Sequence, residues 1–93
     1  MAKIKVTASI TAQNTFTDWA AIHGVANLSI SGLSDTTVTL QKSYDSGTTK
    51  LDVESFTADV ETTITEPEDG VVWRVGVKTG DYGTDTVALR ISQ

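Results

Sequence analysis

Apolar and polar side chains alternate one for one along most of this chain. Val71, Trp73, Val75 and Val77 fall on one parity, with Val72, Arg74, Gly76 and Lys78 on the other. Val87, Leu89 and Ile91 alternate in the same way with Ala88, Arg90 and Ser92. A strand sends successive side chains to opposite faces, so a period of two specifies one buried and one solvated face. The pattern recurs upstream. Ile4, Val6, Ala8 and Ile10 oppose Lys5, Thr7 and Ser9, and Ala26, Leu28 and Ile30 oppose Asn27, Ser29 and Ser31. Val38 and Leu40 oppose Thr37, Thr39 and Gln41, while Val60 and Ile64 share a face with Thr62 against Glu61 and Thr63. Leu51 and Val53 share a parity that Phe56 lacks, which a bulge near Ser55 reconciles. No long stretch carries the 3.6-residue stripe of an amphipathic helix. The commonest residues are 16 threonines and 10 valines, both β-branched and suited to a pleated surface.

Turn residues separate these runs at short intervals: Gly32 to Asp35, Asp45-Ser46-Gly47, Asp69-Gly70, and Gly80-Asp81-Tyr82-Gly83. Pro67 lies in the Glu66–Gly70 connection, where it interrupts no ladder. Thr15–Gly24 admits two readings. It can form one or two helical turns, with Thr17 as N-cap and Gly24 as terminator, or an irregular extended strand; the extended form is preferred. About seven or eight short strands solvated on one side predict an all-β fold, a single antiparallel β-sandwich of immunoglobulin-like or jelly-roll-like type. The domain is expected to span residues 1–93, with 1–11 as an N-terminal arm or edge strand.

Size and charge narrow the function. A chain of 93 residues buries only about 60–65% of its unfolded surface, so the core is thin and a large cleft is not expected. Without cysteine there is no disulfide, thiol nucleophile or cysteine metal site, and the one histidine, His23, cannot build a zinc centre alone. A net charge of −5 argues against nucleic-acid binding. No apolar run approaches the roughly 18–20 residues of a membrane span. Lys5, Thr7, Ser9 and Thr11 break up any signal-peptide core near the start. No cofactor is expected.

Several constellations invite a chemical reading. Ser43-Tyr44-Asp45-Ser46-Gly47-Thr48-Thr49-Lys50 resembles the Asp-box hairpin of sialidases and several unrelated β proteins, where it is structural. Here Lys50 stands in place of the usual closing aromatic residue. The two arginines of the chain cannot supply the arginine cluster of a sialidase. Asp52 and Glu54, two apart on a strand, share a face and could couple as an acid pair, against an ordinary solvated face. Asp81 and Asp85 flank the Gly80–Gly83 loop and could hold calcium, though the spacing fits no calcium loop and a polar turn is the simpler reading. His23 with Asp18 and a serine could form a triad, but no nucleophile elbow accompanies them. Trp73, on the apolar parity, is expected in the core. Trp19, Tyr44 and Tyr82 are the candidate partner contacts, together with Asp81; Tyr82, between two glycines at a hairpin tip, stands out.

Leu28 to Lys50 and Glu66 to Gln93 resemble a pattern found in small tailed-bacteriophage proteins, and the similarity extends over about residues 14–93. Lys42 and Lys50 stand where that pattern has Arg and Trp. Members with an assigned role are virion components, such as head-decoration or other surface-attached β-sandwiches. The resemblance implies a non-enzymatic virion structural protein, a capsid decoration or cement protein on the head surface, assembled in the bacterial host cytoplasm. It implies a major capsid protein or another virion protein as partner, and a homo-oligomer, a trimer in the first instance. By the same analogy, residues 1–11 could cross to a neighbour as an exchanged edge strand. It brings no catalytic residue. The alternative is a carbohydrate-binding or adhesion module on the virion that stacks sugars on Trp19, Tyr44 or Tyr82.

Overall fold

The computed structural model describes residues 4–93 and folds them as an antiparallel β-sandwich, with nine strands and no helix among the described residues. The strands are β1 (Lys5–Ile10), β2 (Thr15–Phe16), β3 (Ala20–Ala21), β4 (Gly24–Ser31), β5 (Val38–Ser43), β6 (Leu51–Phe56), β7 (Val60–Glu66), β8 (Val72–Val77) and β9 (Val87–Ser92). One sheet has the order β1-β9-β4-β7; the other has β2-β8-β5-β6, with β3 also paired to β8. All the predicted runs form strands. The apolar parities meet between the sheets, where Leu28, Ile30, Val38, Val75, Val87 and Ile91 are buried and Trp73 is 4% exposed.

The edges are less tightly covered. On β1 only Ile10 is fully buried; Val6 and Ala8 are half-buried, and Ile4, just before the strand, is 37% exposed. This strand is an edge of its own chain's sheet, paired with β9 from Lys5↔Ser92 to Ile10↔Val87. Residues 1–3 of the expected arm lie outside the described residues.

Thr15–Gly24 is extended, and it contributes two short strands to β8 where the periodicity predicts one. Between them Thr17 keeps the pairing intact. Its amide donates to the Val75 carbonyl (2.9 Å) and its hydroxyl accepts from the Val75 amide (3.2 Å). The hydroxyl predicted as a possible helix cap therefore stands in for a backbone carbonyl.

The bulge in β6 lies at Val53, not Ser55. Leu40 pairs with Glu54 and Gln41 with Asp52, leaving Val53 unpaired. An extra residue reverses the parity on its two sides. Asp52 therefore joins the outward row of Gln41, while Glu54 falls on the side of buried Leu40. The expected shared face for these two acids does not form.

Four connections cross between the sheets at one end of the sandwich, and two of them face each other: 32–37 joins β4 to β5, and 78–86 joins β8 to β9. They are clasped reciprocally. Asp85 Oδ2 accepts the amides of Ser34 (2.7 Å), Asp35 (3.1 Å) and Thr36 (3.2 Å), and Oδ1 accepts the Ser34 hydroxyl (2.6 Å). In return Asp35 accepts the amide (2.9 Å) and hydroxyl (2.8 Å) of Thr84. The Gly83 amide donates to Thr36 Oγ1 (3.0 Å) and the Thr37 amide to the Asp81 carbonyl (3.0 Å). Gly32 admits the close approach with φ at 89°; a Cβ there would collide with the Thr86 carbonyl.

The Ser34 hydroxyl and amide, followed by the other loop amides, hold the Asp85 carboxyl well below the usual carboxylate range. A carboxyl depressed by folding contributes stability that is fully present above its unfolded value near 4, and loses it as pH falls toward the folded value. Acid titration of the unfolding midpoint is expected to show stability falling below about pH 4. Asp85→Asn should lower the melting temperature by about 5 °C or more at neutral pH and flatten that acid limb. An unchanged limb would contradict the assignment.

Candidate functional site

The outer faces of the two sheets differ in what covers them. On the β2-β8-β5-β6 sheet, Phe16 lies over Gly76, whose absent side chain makes the room. A Cβ there would fall 2.5 Å from Phe16 Cα and 2.6 Å from its ring. Thr39, on the same outer row, is fully buried. The Arg74 guanidinium lies 3.9 Å from the Phe16 ring centre and 4.6 Å from that of Trp19, a stack worth about 0.5–2 kcal/mol per contact. Arg74 Nε donates to Gln41 Oε1 (2.9 Å), and Gln41 Nε2 donates to Asp52 Oδ1 (2.8 Å). Asp52 Oδ2 then meets Lys78 Nζ at 2.7 Å. Lys78 first, and Gln41 second, lower the Asp52 carboxyl; burial lowers Arg74. Asp52 is thus occupied by a cation and an amide.

The candidate partner residues do not converge. Tyr82 is half-buried against the core, and its hydroxyl donates to the Asp85 carbonyl (2.6 Å). It is therefore part of the clasp and not the exposed tip that its flanking glycines suggested. Asp81 is half-buried beside it, with its amide on the Lys78 carbonyl (3.1 Å). The calcium reading fails on the donor set, because both Asp85 oxygens already accept from loop amides and a hydroxyl. Trp19 and Tyr44 lie at the opposite end of β5, around the Ser43–Lys50 turn. Tyr44 is 54% exposed, with Lys42 Nζ 5.0 Å from its ring centre.

That turn has the local bonding of the motif it resembles. Ser43 Oγ donates to Asp45 Oδ1 (2.6 Å) and accepts the Gly47 amide (2.8 Å), while the Thr49 amide donates to Asp45 Oδ1 (2.7 Å). These bonds, Ser43's first, lower the Asp45 carboxyl to about 2. The closing aromatic absent at residue 50 comes instead from Trp19, which packs on Gly47 so closely that a Cβ would lie 2.7 Å from its indole nitrogen. His23 Nδ1 lies 3.3 Å from Asp69, not Asp18, and both side chains are exposed. This is a surface pair. Among the described residues, no group of three or more His, Asp or Glu side chains is placed to hold a metal.

The face left open is that of the β1-β9-β4-β7 sheet. Its cross-strand rows read Val25, Thr65; then Lys5, Ser92, Asn27, Thr63; then Thr7, Arg90, Ser29, Glu61; then Ser9, Ala88, Ser31, with Val25 59% exposed at one end. Ser29 donates to Glu61, and only Lys5, Arg90 and Glu61 carry long side chains. Two shallow depressions lie on this face, around Ser29 and Arg90. Small side chains on a broad sheet make a level surface that a second macromolecule can approach closely. Such a surface gives little enclosure for a small molecule, which binds best in a concave, apolar pocket.

Phe16, Arg74 and Gly76 escaped notice as a unit in the alternation. The signal was present in Gly76, since an isolated glycine inside a strand often marks a close approach of another segment. Gly76→Ala is expected to destabilise the fold by about 1–3 kcal/mol in denaturant titration, because the added methyl meets backbone that cannot step aside. A neutral effect would mean that Phe16 does not rest there.

No protein-family model matches the chain, and no curated protein or solved structure matches it.

Proposed function

We propose that this chain is a non-enzymatic bacteriophage virion structural protein that decorates the outer surface of the head by binding the major capsid protein. The observation that carries the proposal is the level, small-residue outer face of the β1-β9-β4-β7 sheet, which the domain's own core does not use. The resemblance of residues 14–93 to small phage virion proteins supports the same reading. A thin-cored domain also gains from such a role, because any partner that binds only the folded state adds to its stability.

The carbohydrate reading draws less support from these residues. A sugar platform needs two or three exposed coplanar rings, whereas Trp19 packs on Gly47 and Arg74, and Tyr82 is tied into the clasp. Tyr44 is left with Lys42 over its ring.

Purified protein should co-sediment saturably with particles of the parent phage that lack it, at a copy number that is a multiple of the capsid symmetry. Arg90→Glu, an exposed change at the centre of the face, should leave stability within about 0.5 kcal/mol and weaken association about tenfold or more. Absence of saturable binding to heads would overturn the proposal, and a glycan array would then test the sugar reading.

A further inference from the structure

We propose that two copies of this chain pair edge to edge through β1, across a two-fold axis at Thr7, and merge their four-stranded sheets into one continuous sheet. The inference begins with hydrogen-bond parity. The Gln93 amide donates to the Ile4 carbonyl (2.8 Å), and Ile4 and Gln93 continue the register in which Lys5 opposes Ser92. Residues that bond directly across an antiparallel pair alternate with residues that do not. Ile4, Val6, Ala8 and Ile10 therefore turn their backbone groups toward β9. Lys5, Thr7 and Ser9 turn theirs away, to the free edge.

That edge differs from the other three. The β6 edge carries the Val53 bulge and two acids, Asp52 and Glu54. The β2/β3 edge is broken between its two short strands at Asp18 and Trp19, and so carries an acid at the break. The β7 edge carries Glu61 and ends at Glu66, and its inward parity includes the exposed Thr62. Bulges, breaks and charges are the usual protections of a sheet edge, and β1 has only one of them, the charge of Lys5 near its start. It is an unbulged six-residue strand whose one charge is the cation Lys5, in a chain of net charge −5, so no acid opposes an acid when two copies meet there. It also leaves apolar surface uncovered, at Ile4, Val6 and Ala8.

A two-fold centred on Thr7 satisfies these features together. Thr7 faces Thr7 of the second copy, and Lys5 faces Ser9 of the second copy, so no like charges oppose. Each of the three outward residues then enters a bonded pair. On the inward side, Val6 meets Ala8 of the second copy and Ile4 meets Ile10 of the second copy, which covers the exposed apolar atoms. An axis normal to the sheet keeps both outer faces on one side, so the level surface doubles in width. The pairing stands independently of the capsid reading, and it replaces the three-fold arrangement that the phage resemblance implies.

The test uses the full chain, with mass in solution read from micromolar to millimolar concentration beside amide hydrogen exchange. A dimer is expected as concentration rises. Lys5, Thr7 and Ser9 amides should be unprotected when dilute and protected when concentrated, while Val6, Ala8 and Ile10 stay protected throughout. Thr7→Pro removes an N–H that the monomer does not use, so it should retain the fold and weaken dimerisation at least tenfold; Thr7→Ser should dimerise normally. A monomer at millimolar concentration, a trimer, or exchange at Lys5, Thr7 and Ser9 that ignores concentration would each overturn the proposal. The exchange pattern of the unaltered chain decides the matter even if Thr7→Pro fails to fold.

Discussion

The carboxylate of Asp85 sits between two of the loops that cross from one sheet to the other, and it accepts three consecutive loop amides and a hydroxyl there. A sandwich this small buries little apolar surface, so the alignment of its sheets depends heavily on the connections between them. With Asp35 answering from the opposite loop, the amides of 34–36 and 84 are satisfied by side chains where no ladder reaches them. Tyr82, Gly83 and Thr84 serve the same clasp. The other end of the sandwich uses related chemistry on a smaller scale. There, buried Glu66 accepts the Trp73 indole N–H (3.2 Å) and the Glu68 amide (2.9 Å).

With the sheets fixed, the two outer faces take different roles. Phe16, Trp19 and Arg74 form a partial third layer over the β2-β8-β5-β6 sheet, and the Arg74–Gln41–Asp52–Lys78 chain uses much of its polar capacity. Exposed pairs such as Lys78–Asp52 add little stability, so that chain matters more for order than for energy. The opposite sheet presents Ser, Thr, Asn and Ala around Arg90, with Lys5, Glu61 and exposed Val25 toward its margins. Among the described residues, the same sheet also has the one edge without bulge, break or acid, that of β1. Open face and open edge therefore occur together on one sheet.

The core was legible because alternation is a direct record of burial: Val71 to Val77 and Val87 to Ile91 point where their parity says. Local turn chemistry was legible for a similar reason, since Ser43, Asp45 and Gly47 bond to one another within a few residues. Contacts between distant segments were not. Tyr82 between glycines looks exposed until the 32–37 loop is placed against it, and Asp85 looks available to a cation until three amides arrive from residues 34–36. A single unpaired residue, Val53, was enough to move Asp52 and Glu54 to opposite sides. Trp19 could not be assigned from its neighbours, because its place is fixed by Gly47 and Arg74.

The most direct test of the account is electron cryo-microscopy of decoration-free heads reconstituted with this protein. The account requires ordered density for the sandwich on the outer shell, with Thr7, Ser29 and Arg90 facing the major capsid protein. Density that meets the shell through the Ser43–Lys50 turn or the Arg74 face, or heads that stay bare at saturating protein, would contradict it.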